Sequence, residues 1–378
     1  GIFEMSDCQF RRNRIRDAQS VASHLWQLAH QRMSISSLVF EDNLCRDSAD
    51  ELALSKTGSF DGELTSDGDG CIVVTDCSIS MSSVQFARNN GTFIWSLRRR
   101  WQQDQIVEDA PICVWNLSES DDVGNTFMHF VNFTESDLIT VSSSNMASPF
   151  LNYMFYVFGE EEAEGTYMTV QDSLFERVNS SVFKWNTSRD EYGDYHLNLN
   201  VTGSQFTTTA LHVELNSLAA NHQTYVEFRR NQIRNYTDLS AQHFIFYLST
   251  EGAPLLFVLD DNELIDINPH DFYLTDGPVT VHTVNHSSNQ DDYADLVDPL
   301  HVVIKNHHFG PLYDNVAINV TRRDMDLVPA STIEIIGSFF EHQNSDQLMC
   351  RFYNIQPADT IIIRDSNFSH AFCEFHFG

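Results

Sequence analysis

Residues 168–175 read MTVQDSLF, residues 199–206 LNVTGSQF, residues 333–340 IEIIGSFF and residues 361–368 IIIRDSNF. Each phrase is two or three alternating apolar residues, a short polar turn, and a large apolar residue. Asn takes the place of Ser in RRNQI, ending at Ile233, and in DDNEL, ending at Leu264, and VIKNHHF closes on Phe309. The closing residues Phe175, Phe206, Ile233, Leu264, Phe309, Phe340 and Phe368 are separated by 31, 27, 31, 45, 31 and 28 residues. A period near thirty with one longer interval is the signature of a solenoid.

The period inside each unit selects the kind of solenoid. Alternation in twos precedes the closing residue and returns after it, in VFKW (182–185), LHVEL (211–215), FIFYL (244–248) and VAINV (316–320). Two-residue alternation places one face of a strand inward, whereas helical repeats would require 3.6-residue spacing. Strands that coil and stack in register build an all-β, single-stranded parallel β-helix, and the units account for about ten or eleven coils in one domain spanning 1–378. The seven closing residues are then expected to stack inward at about 5 Å intervals along the axis. VVTDCSI, ending at Ile79, and SDCQF, ending at Phe10, fit the same template. QFRRNRIRD (9–17) and EFRRNQIRN (227–235) nearly repeat one another. Matching FRRN to FRRN would move the first anchor from Phe10 to Ile15, so the register of the first coil stays open between the two.

The Ser/Asn-x-Phe turns and the phrase Phe86-Ala87-Arg88-Asn89 resemble the right-handed parallel β-helix superfamily, which includes pectin-degrading enzymes and surface adhesins with Phe-x-x-Asn repeats. The resemblance implies a right-handed coil and a long lateral groove that suits an extended glycan. It specifies a fold, not an activity.

Three stretches depart from the coil. DAQSVASHLWQLAHQRM (17–33) sets Val21, Leu25, Leu28 and Ala29 on one side at helical spacing with Trp26 beside them, which predicts a short helix. Residues 46–70 and 286–300 are acidic and turn-rich, and read as projecting loops.

Composition narrows the partners. Acidic residues outnumber basic ones 53 to 22, for a net charge of −31, which opposes nucleic acid and anionic membrane. No apolar run is long enough for insertion as a helix. Asn-x-Ser/Thr occurs ten times, at Asn90, Asn116, Asn132, Asn179, Asn186, Asn200, Asn235, Asn285, Asn319 and Asn367, against about four expected from composition. The excess points to N-glycosylation and a secreted, extracellular or cell-surface protein. The alternative is that solenoid turns enrich Asn, Ser and Thr. Seven cysteines are too few and too scattered for a disulfide-dense scaffold. Cys71 and Cys77 bracket a strand-like run and cannot bridge each other if it is extended. CRF (350–352) and CEF (373–375) share one pattern, so Cys350 and Cys373 are expected to be neighbours on adjacent coils, a candidate disulfide, with Arg351 and Glu374 paired on the opposite face.

Catalytic patterns are sparse. Glycan hydrolysis requires carboxylates from adjacent coils, and Asp121-Asp122, Asp260-Asp261 and Asp291-Asp292 are the adjacent acids. The Gly-His-Gly and Arg-x-Lys elements of the pectin-hydrolase pattern are missing. Asp67-Gly-Asp69-Gly offers oxygen donors for calcium but lacks the bidentate Glu of an EF-type loop. His307 and His308 are chain neighbours and would not chelate together in a strand, and His342 and His370 share a position after Phe340 and Phe368. The reading is a structural or adhesive surface protein without catalysis, metal or cofactor, self-associating through its terminal coils, with extracellular glycans as a further partner class. The alternative is a carbohydrate-active enzyme or glycan-binding module. Coil-like sequence near Gly1 and through Phe377 predicts either flanking sequence or stacked copies at the ends.

Overall fold

A backbone whose side chains alternate inward and outward closes a core if successive coils stack their inward residues on one another. That is the arrangement found in the computed structural model of the chain. It describes residues 2–12, 26–29, 32–43, 72–75, 78–89, 94–97, 101–102, 105–106, 114–123, 127–134, 138–147, 150–159, 165–176, 181–187, 196–207, 213–217, 223–234, 246–250, 255–267, 279–283, 300–312, 318–322, 331–342, 347–355, 357–369 and 371–377. Nearly all of its strands fall into three parallel sheets of twelve strands each. The first sheet runs through Ile2–Ser6, Arg32–Ser36, Ser78–Ser82, Val114–Ser118, Leu138–Ser142, Gly165–Gln171, His196–Thr202, Gln223–Arg229, Leu255–Asp260, Leu300–Lys305, Thr332–Ile336 and Thr360–Arg364. The second begins at Gln9–Arg11 and ends at Asn367–Ser369, and the third begins at Trp26–Ala29 and ends at Ala371–Phe377. A two-stranded antiparallel ribbon, Trp101–Gln102 with Gln105–Ile106, stands apart from them.

The column of large apolar residues forms as its spacing predicts. Phe175 is in register with Phe206, Phe206 with Ile233, Ile233 with Leu264, Leu264 with Phe309, Phe309 with Phe340, and Phe340 with Phe368. All but Phe368 are buried, and the rings of Phe175 and Phe206 stack at 4.8 Å, as those of Phe340 and Phe368 do at 4.7 Å. The column continues backwards through Met146, Asp122, Phe86 and Phe40 to Phe10. Phe10, not Ile15, is therefore the first anchor.

The polar turn between the first and second sheets has a physical cause that explains its spelling. Its leading residue has positive φ: Asp172 (48°), Gly203 (64°), Arg230 (55°), Asp261 (55°), Asn306 (50°), Gly337 (60°) and Asp365 (55°). This left-handed residue reverses the chain in one step, and its amide donates to a carbonyl of the next coil, as Asp172 N does to Thr202 O at 3.0 Å. The following residue is buried in every one of these turns but the last, where Ser366 is half-buried, so its backbone N–H needs a partner away from water. The next coil supplies it. Ser120 N donates to Ser144 Oγ, Ser144 N to Ser173 Oγ, Ser173 N to Ser204 Oγ, Ser204 N to Asn231 Oδ1 and Asn231 N to Asn262 Oδ1, at 2.9–3.3 Å. The same ladder resumes with His307 N to Ser338 Oγ and Ser338 N to Ser366 Oγ. In the coils that carry Ser or Asn there, a small side chain accepts one hydrogen bond and donates another; Leu38 and Val84 hold the position in two earlier coils and His307 in a later one.

The FRRN echo resolves in the same terms. Phe228 lies in the first sheet, Arg230 is left-handed, and Asn231 joins the ladder just described. Phe10 lies in the second sheet, and Arg12 is left-handed at the turn after it. The two phrases encode the same local turn at two different corners. Phe40-Glu41-Asp42-Asn43 and Phe86-Ala87-Arg88-Asn89 spell that second corner, with Asn43 N donating to Asn89 Oδ1 at 3.0 Å.

Two expectations are corrected. Each sheet holds twelve strands, against an expected ten or eleven coils. The helix over 17–33 does not form where that range is described: Trp26–Ala29 is a strand of the third sheet paired with Ile72–Thr75, and Arg32 and Met33 open a strand of the first. In so short an apolar run, Trp26 and Leu28 satisfy two-residue alternation as well as the helical period, and pairing decides. Residues 13–25 and 30–31 lie outside the described residues, as do the loops at 46–70 and 286–299.

Candidate functional site at the open edge of the last coil

Inward side chains within the stack are covered by a coil on each side. The last coil, Thr360–Arg364, Asn367–Ser369 and Ala371–Phe377, pairs on one side only. Its inward columns are therefore half open. Ile363 sits in register with the buried Ile335 and Phe375 with the buried Phe352, yet both are more than a third exposed. Ile362, Phe372 and Phe377 are exposed as well. An apolar, unpaired parallel edge is a template for further pairing. At the other end, the strands Ile2–Ser6 and Gln9–Arg11 and the turn between them leave Met5, Cys8 and Phe10 only half-buried.

Cys350 and Cys373 meet at this edge. They are register partners, placed so by a one-residue irregularity between Leu348 and Cys350 in the strand Gln347–Ile355. Both are free thiols; Cys350 is buried and Cys373 half-buried. Burial pushes the Cys350 thiol well above its ordinary range, while the hydrogen bond with Cys350 lowers that of Cys373. On the outer face, Arg351 and Glu374 pair at 3.4 Å, as their spacing predicts. Two neighbours extend that pair beyond what the spacing predicts. The rings of Tyr353 and His376 stack at 4.3 Å, the Arg351 guanidinium lies 5.5 Å from the Tyr353 ring, and His376 Nε2 is 3.1 Å from Glu374. The only sequence signal for this cluster is the alternation Arg-x-Tyr against Glu-x-His.

The remaining candidate residues are dispersed. Among the sequons, Asn116, Asn132, Asn186, Asn200, Asn319 and Asn367 all lie within strands. Asn367 is exposed and Asn200 half-buried, with Thr202 Oγ1 donating to Asn200 Oδ1 at 2.9 Å. Turn chemistry therefore does not account for these six. The period of two does something else: it puts Asn and the hydroxyl two residues on along the same face of a strand. Asn90, Asn179, Asn235 and Asn285 lie outside the described residues.

The paired acids separate. Asp260 sits 3.4 Å from Arg229, Asp261 is the left-handed turn residue, and Asp121 and Asp122 fall in a strand of the second sheet, with Asp122 in register between Phe86 and Met146. Asp291 and Asp292, the Asp67–Asp69 run, Cys45, Cys71, Cys77, Cys113 and His370 lie outside the described residues. Among the described residues, no group of three or more His, Cys, Asp or Glu is placed to hold a metal ion, and no helix is long and apolar enough to cross a membrane.

His307, expected within a strand, is instead part of the turn ladder. It is buried, and neither ring nitrogen has a hydrogen-bond partner. Burial, with His308 adding to it, depresses its pKa to about 3, so the ring is neutral. Its imidazole packs against Phe309 at 4.1 Å. Charged surface pairs elsewhere neutralise one another: Arg88 donates to both Glu41 and Asp42, and the hydrogen bond from Arg88 lowers the Asp42 carboxyl below its ordinary range. Tyr225, partly buried and donating to Glu227 at 2.8 Å, is pushed up to about 12.

Comparison with known proteins finds no matching family model, no matching curated protein and no matching solved structure.

Proposed function

We propose that the protein is an extracellular, N-glycosylated structural or adhesive surface component whose copies stack end to end. The observation that supports this reading is the continuous in-register stack of three parallel sheets of twelve strands, a scaffold with outward positions such as the exposed sequon Asn367. A second copy can extend that stack. Set one strand spacing beyond the strands Thr360–Arg364 and Asn367–Ser369, the first coil of a second copy continues the inward columns: Met5 over Ile363 and Phe10 over Phe368. Gln9 falls over Asn367, amide on amide. The backbone ladders of the sheets extend by the same step, and the strongly acidic balance of the chain keeps such fibres dispersed. The coil is right-handed, the hand that parallel strand crossovers favour and that the pectin-lyase-like and adhesin-like solenoids share.

Negative-stain electron microscopy with sedimentation velocity tests the reading. Twelve strand spacings of about 4.8 Å give filaments with an axial repeat of about 58 Å. Replacing Ile363 and Phe375 by Glu leaves the folded protomer and abolishes the filaments. Wild-type protein that stays a single particle at all concentrations contradicts the proposal.

A further inference from the structure

We propose that Cys373 and Cys350 act as an oxidisable dithiol, Cys373 reacting first with a low-molecular-weight disulfide and Cys350 resolving it into a bond between the last two coils. Three observations of geometry carry this. The two residues are register partners in adjacent parallel strands, where Cα atoms lie about 4.8 Å apart, inside the roughly 4.4–6.8 Å that a disulfide accepts. Their side chains leave the same face of the sheet side by side, as register partners in a parallel pair must. Their access to solvent differs: Cys350 lies inside the stack, flanked in its strand by the buried Phe352, whereas Cys373 opens onto the uncovered edge beside Phe372 and Phe375. The lowered pKa of Cys373 favours its thiolate, the nucleophile in exchange.

The chemistry balances in two steps. The Cys373 thiolate attacks one sulfur of the small disulfide, forming a mixed disulfide and releasing one small thiolate. Cys350 then loses its proton and attacks the Cys373 sulfur. The protein disulfide forms, the second small thiolate leaves, and the two cysteine protons end on the two released thiols. Two protein thiols are oxidised and one small disulfide is reduced. The new bond spans 373 − 350 = 23 positions, closing the last coil onto the one before it. This chemistry needs only the last two coils of one chain with their edge uncovered, so in a stack it is confined to the terminal copy and it does not rest on stacking.

The test uses the whole chain and glutathione disulfide as the probe, with acid quenching, alkylation and peptide mass spectrometry. Early time points are expected to show glutathione on Cys373, followed by a Cys350–Cys373 linked peptide lighter by two hydrogens. C350S traps the mixed disulfide on Cys373, and C373S leaves residue 350 unmodified. Because either variant can disturb the last coils, the wild-type chain supplies a second readout: N-ethylmaleimide labels Cys373 at least about tenfold faster than Cys350, as thiolate character and access require. Glutathione appearing first on Cys350, equal labelling of both thiols, or no linked peptide from folded protein in excess oxidant overturns the proposal.

Discussion

Replacing His307 by Asn restores the Ser/Asn spelling of the turn ladder between Asn262 and Ser338 and removes a source of acid sensitivity. In the folded chain His307 titrates at about 3, against an ordinary value of 6.5. Between those values the unfolded chain binds a proton that the folded chain refuses, so this residue's contribution is intact above pH 6.5 and is lost as pH falls towards 3. Going from pH 7 to pH 5, the protonation of an unfolded histidine corresponds to about 1.4 pH units of linkage, or about 2 kcal/mol. In H307N that cost is absent. Asn231 donates to Val201 O and Asn262 to Phe228 O, and by that pattern the amide introduced at position 307 is expected to donate to the carbonyl of Leu259. All other groups are common to both proteins and cancel in the comparison. Urea unfolding followed by tryptophan fluorescence at pH 7 and pH 5 measures the effect. Wild type is expected to lose about 2 kcal/mol more than H307N over this interval. Equal losses would refute the reasoning, since a buried neutral imidazole must produce the difference.

Other outcomes follow from the same structure. F206A opens a cavity in the middle of the apolar column and is expected to cost about 3–5 kcal/mol in urea unfolding. S173A leaves the buried Ser144 amide without its acceptor and is expected to cost about 1–3 kcal/mol, with S173N costing less because Asn fills the same role at Asn231 and Asn262. G203A places a side chain at φ +64° with its Cβ 2.5 Å from Asp172 Oδ1, but that carboxylate is free to swing away, so the expected cost is about 1–2 kcal/mol. Glycopeptide mass spectrometry of material from a eukaryotic secretory host is expected to find glycan on Asn367, which is exposed, and unmodified peptide at all ten sequons would remove the case for an extracellular location.

The inward column is legible in the sequence because bulk and burial leave few residue types to choose from. Phe, Ile and Leu at near-constant spacing name their own register. Left-handed turn positions are not legible, since Asp172, Arg230 and Asn306 hold the same conformation as Gly203 and Gly337, and nothing in a charged residue announces positive φ. The Ser and Asn that follow are visible as part of the phrase, but their reason, an acceptor for the amide of the preceding coil, belongs to three dimensions. His307 is hidden for the same cause: in sequence it is one of two adjacent histidines, and only the stack shows it standing where Asn262 and Ser338 stand in the coils on either side. Trp26 to Ala29 mislead because four residues cannot separate a period of two from one of 3.6. The Cys350 and Cys373 pairing is readable from CRF against CEF, although the irregularity that brings them level is not.

The in-register parallel stack is the claim on which the rest depends, and one cross-link tests it. Gln205 and Gln232 are register partners on the outer side of the second sheet, next to Phe206 and Ile233 of the inward column. The double variant Q205C/Q232C, oxidised mildly and digested, is expected to yield a peptide linking 205 to 232. If both introduced thiols react freely with maleimide in the folded protein and no such peptide forms, the strands are not in this register and the parallel stack is contradicted.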